Sequence, residues 1–312
     1  MSPRWWPSRR SARERTTWTS SGGQPLATDL ARFDRLAFVT RRPSRAGLGG
    51  EHASRRRAPS AEFVDYRPYV PGDDLRRVDW NVYGRLGALE VKLTEARERA
   101  ELVLALDCSA SMAWGTPDKF AAARQVAAAL AYVGLARFDR VRIVRLGYSG
   151  AERCLGPVHG RTRLSEVLGF LERSRPVGQL DLNQQLPDGS ARRGQHMLIL
   201  ISDLLTPGGI GPTVDALQAS GTELVVVHVV APQERQPETL GDLELIDAES
   251  RGVLEVGLSN DVLRVYCTRF AGWLEHQRQL CLGRGARYVL AATDRPISAL
   301  MLSDMRQAAI LQ

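Results

Sequence analysis

Short apolar runs recur along the C-terminal two thirds of the chain. Leu102–Leu106, Met197–Ile201 and Leu224–Val230 are almost wholly apolar. Runs of that length read as strands buried on both faces. Val141–Leu146 and Tyr288–Ala292 predict two further strands, and Leu155–His159 a short one. Leu89–Leu93 alternates apolar and polar positions, as a half-buried strand does. Between these runs the apolar positions fall at helical spacing, over Phe120–Leu135, Leu164–Leu171, Pro212–Ser220, Asp261–Leu282 and Pro296–Leu311. Thr116 is expected to cap the first of these helices, with Pro117 at its first position. Gly241–Gly257 reads as a β-hairpin turned at Ser250-Arg251-Gly252. Strands that alternate with helices predict an α/β fold, a mainly parallel sheet with helices on both faces.

The pattern fails before residue 60. Met1 to Gln24 is rich in Arg, Ser, Thr and Gly and is expected to be disordered. Leu26–Val39 predicts a short helix with Thr28 as its cap, and residues 41–60 a basic loop. Residues 1–60 hold thirteen arginines against four acids, more than the chain's whole net charge of +7, which leaves the remainder at −2. An arginine-rich segment can meet nucleic acid, anionic lipid or an acidic protein face. The reading adopted is a solvated tail, because no recognised nucleic-acid fold accompanies it. No apolar run approaches the ~20 residues that span a bilayer. No apolar core follows Arg9 and Arg10 to make an export signal. The four cysteines form no Cys-x-x-Cys, and the five histidines lack zinc-ligand spacing. A cytoplasmic protein with reduced thiols is expected.

Candidate chemistry gathers where strands end. Leu102–Leu106 runs straight into Asp107-x-Ser109-x-Ser111, and Met197–Ile201 into Ser202-Asp203. In open α/β sheets ligands bind at that end of the strands. If the two strands are neighbours, Asp107 and Asp203 converge. Carboxylates and hydroxyls are hard oxygen donors of the kind Mg²⁺ takes. The competing reading is that these side chains only cap turns. Upstream, Asp65, Asp73, Asp74 and Asp79 alternate with Arg67, Arg76, Arg77 and Arg85 among four aromatics. Opposite charges paired over aromatic faces, where arginine stacks well, make either a structural cap or a recognition surface. In the second case Arg67, Asp73, Asp74, Arg76, Asp79 and Trp80 meet a partner.

Two motifs carry a resemblance. Asp107-x-Ser109-x-Ser111 with the later Asp203 resembles the metal-ion-dependent adhesion site of von Willebrand factor type A domains, which have a Rossmann-like fold. The stretch Tyr66-Arg67-Pro68-Tyr69-Val70-Pro71-Gly72-Asp73-Asp74, continuing through Arg76 and Asp79-Trp80 to Val91-Lys92 and Glu95, resembles the signature of the bacterial family named domain of unknown function 58. The resemblance runs from about Glu62 to the end of the chain. It implies three segments: a basic one over 1–60, a small β-containing signature segment over 61–97, and a type A-like domain over 98–312. It implies Mg²⁺ or another divalent cation on Asp107, Ser109, Ser111 and Asp203. It also implies a MoxR-type AAA+ ATPase and an unknown client protein as partners, in complex assembly or maturation, with no catalysis of its own. One position departs from the family pattern: a metal-contacting threonine is expected where Gly178-Gln179-Leu180-Asp181-Leu182 has Leu180. Asp181 or Asn183 then substitutes, or the ion is held weakly, or the site is partly lost. The enzymatic alternative is a metal-dependent phosphatase-like hydrolase, but its second carboxylate, two positions after Asp107, is Ser109 here. Gly147-Tyr148-Ser149-Gly150-Ala151 fails the serine-hydrolase motif at its last residue, and there is no phosphate-binding Gly-x-x-x-x-Gly-Lys loop.

Overall fold

A computed structural model describes residues 5–7, 30–39, 61–96, 101–136, 140–186, 196–238, 241–249 and 252–312. The chain forms two compact units, residues 1–41 together with 100–312, and residues 42–99.

The larger unit is built on a six-stranded sheet. Its strands are β4 (Glu101–Asp107), β5 (Arg140–Leu146), β6 (Cys154–Val158), β7 (His196–Ser202), β8 (Glu223–Val230) and β11 (Arg287–Ala292), in the order β11-β8-β7-β4-β5-β6. All pairs are parallel except β5 with the edge strand β6. Successive side chains of a strand point to opposite faces, so β4 serves two cores. Leu102, Leu104 and Leu106 join one, together with α2 (Lys119–Ala136). Val103 and Ala105 join the other, with Val214 of α5 (Gly211–Ala219) and Cys281 of α7 (Asn260–Gly283). That two-sided burial is why β4 is a continuous apolar run. α2 is buried nearly all round, because it packs at the centre of its layer.

Several elements differ from the sequence reading. α2 starts at Lys119, and its cap is Asp118, whose Oδ1 accepts the Ala121 amide at 2.6 Å, so Thr116 lies outside the helix. Thr116 is held instead by the Gln233 side chain, which pairs with its backbone on both sides at 3.1 and 2.7 Å. The described part of the expected 26–39 helix is a 3₁₀ turn, Ala31–Phe33, followed by a bridge from Phe38 to Leu311. Leu30 and Phe33 are buried in the core, so the apolar spacing was real but served a docked turn. β1 (Trp5–Pro7) adds to the hairpin of β9 (Gly241–Asp247) and β10 (Val253–Leu258), within a segment expected to be disordered. The terminal helix is interrupted by a π turn at Leu300–Asp304 and ends at Gln307. The rest of the basic 1–60 segment lies outside the described residues. Among the described residues no helix is long and apolar enough to cross a membrane.

The smaller unit is a two-stranded antiparallel sheet, β2 (Ala61–Pro68) with β3 (Glu90–Ala96), joined through a 3₁₀ turn and a helix α1 (Trp80–Leu86) that the sequence pattern did not reveal. α1 buries none of its side chains, so no apolar stripe matched to a core was there to be read.

Gly134 lets α2 approach the sheet closely. A Cβ there would lie 2.7 Å from a Val141 methyl and 3.1 Å from one of Leu102. Ala is the better helix former by about 1 kcal/mol, but both neighbours are buried and β4 and β5 cannot retreat. Gly134→Ala is therefore expected to lower unfolding free energy in urea by about 1–3 kcal/mol; a gain would contradict this packing.

Candidate functional site

β4 and β7 are adjacent and parallel, with Leu106 opposite Ile201. Their C-terminal ends therefore place Asp107 beside Ser202 and Asp203. The Ser202 hydroxyl donates to Asp107 Oδ2 at 2.5 Å, and the Ser109 amide donates to Asp107 Oδ1 at 2.8 Å. Ser109 and Ser111 hydroxyls are 2.9 Å apart, and Ser111 in turn donates to Asp203. Four of the expected metal ligands, Asp107, Ser109, Ser111 and Asp203, thus form one hydrogen-bonded cluster.

Asp181, the fifth candidate, does not join it. It caps α4 (Leu182–Gln185), accepting the Asn183 amide at 2.9 Å and the Gln184 side chain at 3.1 Å. Leu180 is buried in the second core, which explains an apolar residue at that position. Asn183 is also engaged elsewhere, accepting from the Thr213 hydroxyl at 2.8 Å and donating to the Pro207 and Gly209 carbonyls. Neither residue replaces the missing threonine. The segment still lies against the Asp107 loop, because the Val177 amide donates to the Cys108 carbonyl and the Ala110 amide to that of Gly178.

Two residues absent from the sequence reading complete the cluster. Lys119 Nζ lies 2.7 Å from Asp203 Oδ2 and 2.6 Å from Glu234 Oε1, with only 1% of its side chain exposed. Glu234 sits on α6 (Pro232–Arg235), directly after β8, and its Oε2 accepts the Ala231 amide at 2.8 Å. A signal for Lys119 was present. Of 42 basic residues forty are arginines, and only Lys92 and Lys119 are lysines. Lysine is a compact point charge where arginine is a planar fork, so a lone lysine in such a chain marks a place that the fork does not fit. Glu234 had no comparable signal.

Burial pushes the Asp107 carboxyl up, the Asp203 charge pushes it further, and together they raise it to about 6. Burial also works against the Asp203 carboxylate, but the Lys119 ammonium outweighs it and holds that group below the ordinary range. Burial lowers His228 to about 4, so its imidazole is neutral. His228 Nε2 is 3.0 Å from the Asp203 carbonyl, which can only accept; the ring proton is therefore on Nε2, and the Tyr288 hydroxyl donates to Nδ1 at 2.7 Å. Leu204, next to Asp203, has φ +58°, a left-handed conformation that costs a non-glycine residue about 1 kcal/mol or more. The turn brings the Leu204 amide to Ser202 Oγ at 2.9 Å and the Leu205 amide to Asp203 Oδ1 at 3.1 Å.

The cluster thus holds three buried carboxylates, Asp107, Asp203 and Glu234, against one ammonium. Among the described residues no group of three or more His, Cys, Asp or Glu forms a metal set; the donor set here is two carboxylates and two hydroxyls. Hard oxygen donors with two negative charges in excess suit a hard divalent cation.

The candidate partner residues lie in the smaller unit, and most of their charge is used within it. Arg67 grips Asp73 with two bonds of 2.7 and 2.6 Å. Asp74 caps the 3₁₀ turn through the Arg76 amide at 3.0 Å. Asp79 caps α1 and accepts the Tyr66 hydroxyl at 2.8 Å. Arg76 and Trp80 face solvent, and Trp80 meets Tyr83 edge to face. Val70, Leu75 and Leu86 are exposed as well.

A family model described as protein of unknown function DUF58 matches residues 65–278. Uncharacterized proteins of Mycobacterium bovis and Mycobacterium tuberculosis are each 28% identical over 255 residues, 80% of this chain and 80% of theirs. Among solved structures, conserved hypothetical protein BatB from Bacteroides thetaiotaomicron aligns with TM-score 0.38 and 16% identity over 67% of this chain and 98% of its own. Pilus adhesin SpaC from Lactobacillus rhamnosus GG aligns with TM-score 0.39 and 12% identity over 68% of this chain and 31% of its own. Likeness at these scores carries no weight for function.

The carboxyl of Asp107 is harder to ionise in the folded chain, at about 6, than at its ordinary 3.8. Its ionisation therefore opposes folding, fully above pH 6 and not at all below pH 3.8. In EDTA-treated protein, Asp107→Asn is expected to raise the thermal midpoint at pH 8, because it removes the buried charge. The gain should shrink as pH falls through 6. An unchanged or lower midpoint at pH 8 contradicts it.

Proposed function

We propose, from the premise that this chain belongs to the family described as protein of unknown function DUF58, that it is a divalent-cation-dependent protein-binding module without catalysis of its own. We read its larger unit as a von Willebrand factor type A-like domain and the cluster at the ends of β4 and β7 as its metal-ion-dependent adhesion site. The observation that carries the reading is the charge imbalance at that point: three buried carboxylates face a single ammonium. Buried charges are ordinarily paired or metal-bound. Asp107, Ser109, Ser111 and Asp203 would hold the ion, with Mg²⁺ the first candidate. When bound, the ion supplies a coordination position that a carboxylate from another protein can fill.

The chain's own part is to hold its oxygens still and to keep water from them. Ser202 and the Ser109 amide fix both oxygens of Asp107; the Leu205 amide fixes one of Asp203. No carboxyl stands at residue 109 to serve as an acid, which favours binding over phosphoryl chemistry. The family resemblance supplies the partner half of the proposal: a MoxR-type AAA+ ATPase, with the exposed Trp80 face of the smaller unit a second place for contact. Tryptophan and arginine, both present there, are the side chains that most often anchor protein interfaces.

Calorimetric titration of MgCl₂ into the EDTA-stripped chain is expected to show saturable heat approaching one ion per chain, and none in Asp107→Ala. Capture of the MoxR-type ATPase from the same cell should require Mg²⁺ and intact Asp107. No heat with the intact chain overturns the reading.

A further inference from the structure

Lys119 and Glu234 are not needed to make an oxygen donor set, yet both are carried into the same buried cluster. Lys119 Nζ uses one oxygen of each carboxylate, at 2.7 Å on Asp203 and 2.6 Å on Glu234, and Asp107 receives no ion pair among the described residues. Both ends of the pair are held. Lys119 is the first residue of α2. Glu234 is fastened by the Ala231 amide at 2.8 Å, and its carbonyl accepts the Tyr266 hydroxyl at 2.9 Å. The neighbouring Gln233 clasps the Thr116 backbone. The loop and α6 approach so closely that a Cβ on Gly115 would lie 2.5 Å from that of Ala231. Asp118, the next acid, is half-buried, caps α2 through the Ala121 amide and interacts with Arg124, so it stands outside the count.

We propose that Lys119 and Glu234 form a charge-setting pair that fixes this site at two net negative charges and thereby matches it to a divalent cation, an inference that rests on the cation reading above. Three buried carboxylates, Asp107, Asp203 and Glu234, with the Lys119 ammonium count to a formal charge of −2. Without Lys119 the site stands at −3; without Glu234, at −1. Removing both restores −2. Each step changes the attraction for a doubly charged ion strongly, because water screens the interior poorly. The choice of lysine fits this role. In a chain with forty arginines and two lysines, a compact ammonium neutralises one charge between two carboxylates without covering the Asp107 oxygens, whereas a guanidinium would spread across them.

The test titrates Mg²⁺ into four EDTA-stripped full-length chains: wild type, Lys119→Met, Glu234→Gln and the double variant. Lys119→Met should bind on the order of tenfold or more tightly than wild type, and Glu234→Gln correspondingly more weakly. The double variant should return to within a few-fold of wild type. Equal affinities in all four, or no binding by any, overturn the inference. A silent wild type beside a Lys119→Met variant that binds would overturn both the matching and the cation reading of the natural chain. Wild-type binding that neither single variant alters would overturn the pair and leave the cation reading standing. Should Lys119→Met fail to fold, Glu234→Gln decides alone: weaker binding supports the pair and unchanged affinity overturns it.

Discussion

The larger unit depends on carrying ionised groups to a place where water cannot serve them. β4 is covered on both faces, so its last residue, Asp107, arrives buried at the sheet's end. Moving a carboxylate out of water is costly unless donors or opposite charge replace the lost hydration. Much of the surrounding geometry answers that demand. The Ser109 amide and Ser202 hydroxyl serve Asp107, Lys119 serves Asp203 and Glu234, and Leu204 takes a left-handed backbone that turns nearby amides toward Ser202 and Asp203. Strained backbone persists where its surroundings over-determine it, and here those surroundings are a ring of buried charge.

What was legible in the sequence follows from the same physics. A strand buried on both faces must be apolar at every position, so β4, β7 and β8 announced themselves, and so did the acids that end two of them. Glu234 was not legible, because a charge buried by tertiary contact looks like any helix-start charge until the fold closes around it; Lys119 stood out only by its scarcity, which does not say what it touches. β1 and α1 were missed for the opposite reason. One is three residues long and the other buries nothing, so neither imposes a period on its side chains. Leu180 shows the limit of reasoning by resemblance: the core claims that side chain, and a cap claims Asp181.

The smaller unit solves a different problem with the same residue types. Arg67 grips Asp73, Asp74 caps the 3₁₀ turn and Asp79 starts α1, so these charges brace the connection between β2 and β3. Arg67, Asp73 and Asp79 thus act as scaffolding, and Val70, Leu75, Trp80, Tyr83 and Leu86 are exposed beside the charged Asp74, Arg76 and Arg85. On the partner reading proposed above, a hydrogen-bonded charged scaffold would hold these side chains ordered beforehand, so that they lose less entropy on contact.

On the cation reading proposed above, the partial compensation at the strand ends balances folding against binding. A second lysine would give Asp107 a partner as well and leave the site at one net negative charge, too little to match a doubly charged ion. Without any lysine, three carboxylates would repel one another in a medium that screens poorly, and the folded state would bear the whole of that repulsion. One ammonium between Asp203 and Glu234 takes the middle course. It makes two of the three carboxylates tolerable and leaves Asp107 with neutral donors only, displaced toward its protonated form by burial and by Asp203. The residual tension falls on the aspartate at the end of the central strand, so any ion that relieves it acts through the part of the fold least able to move.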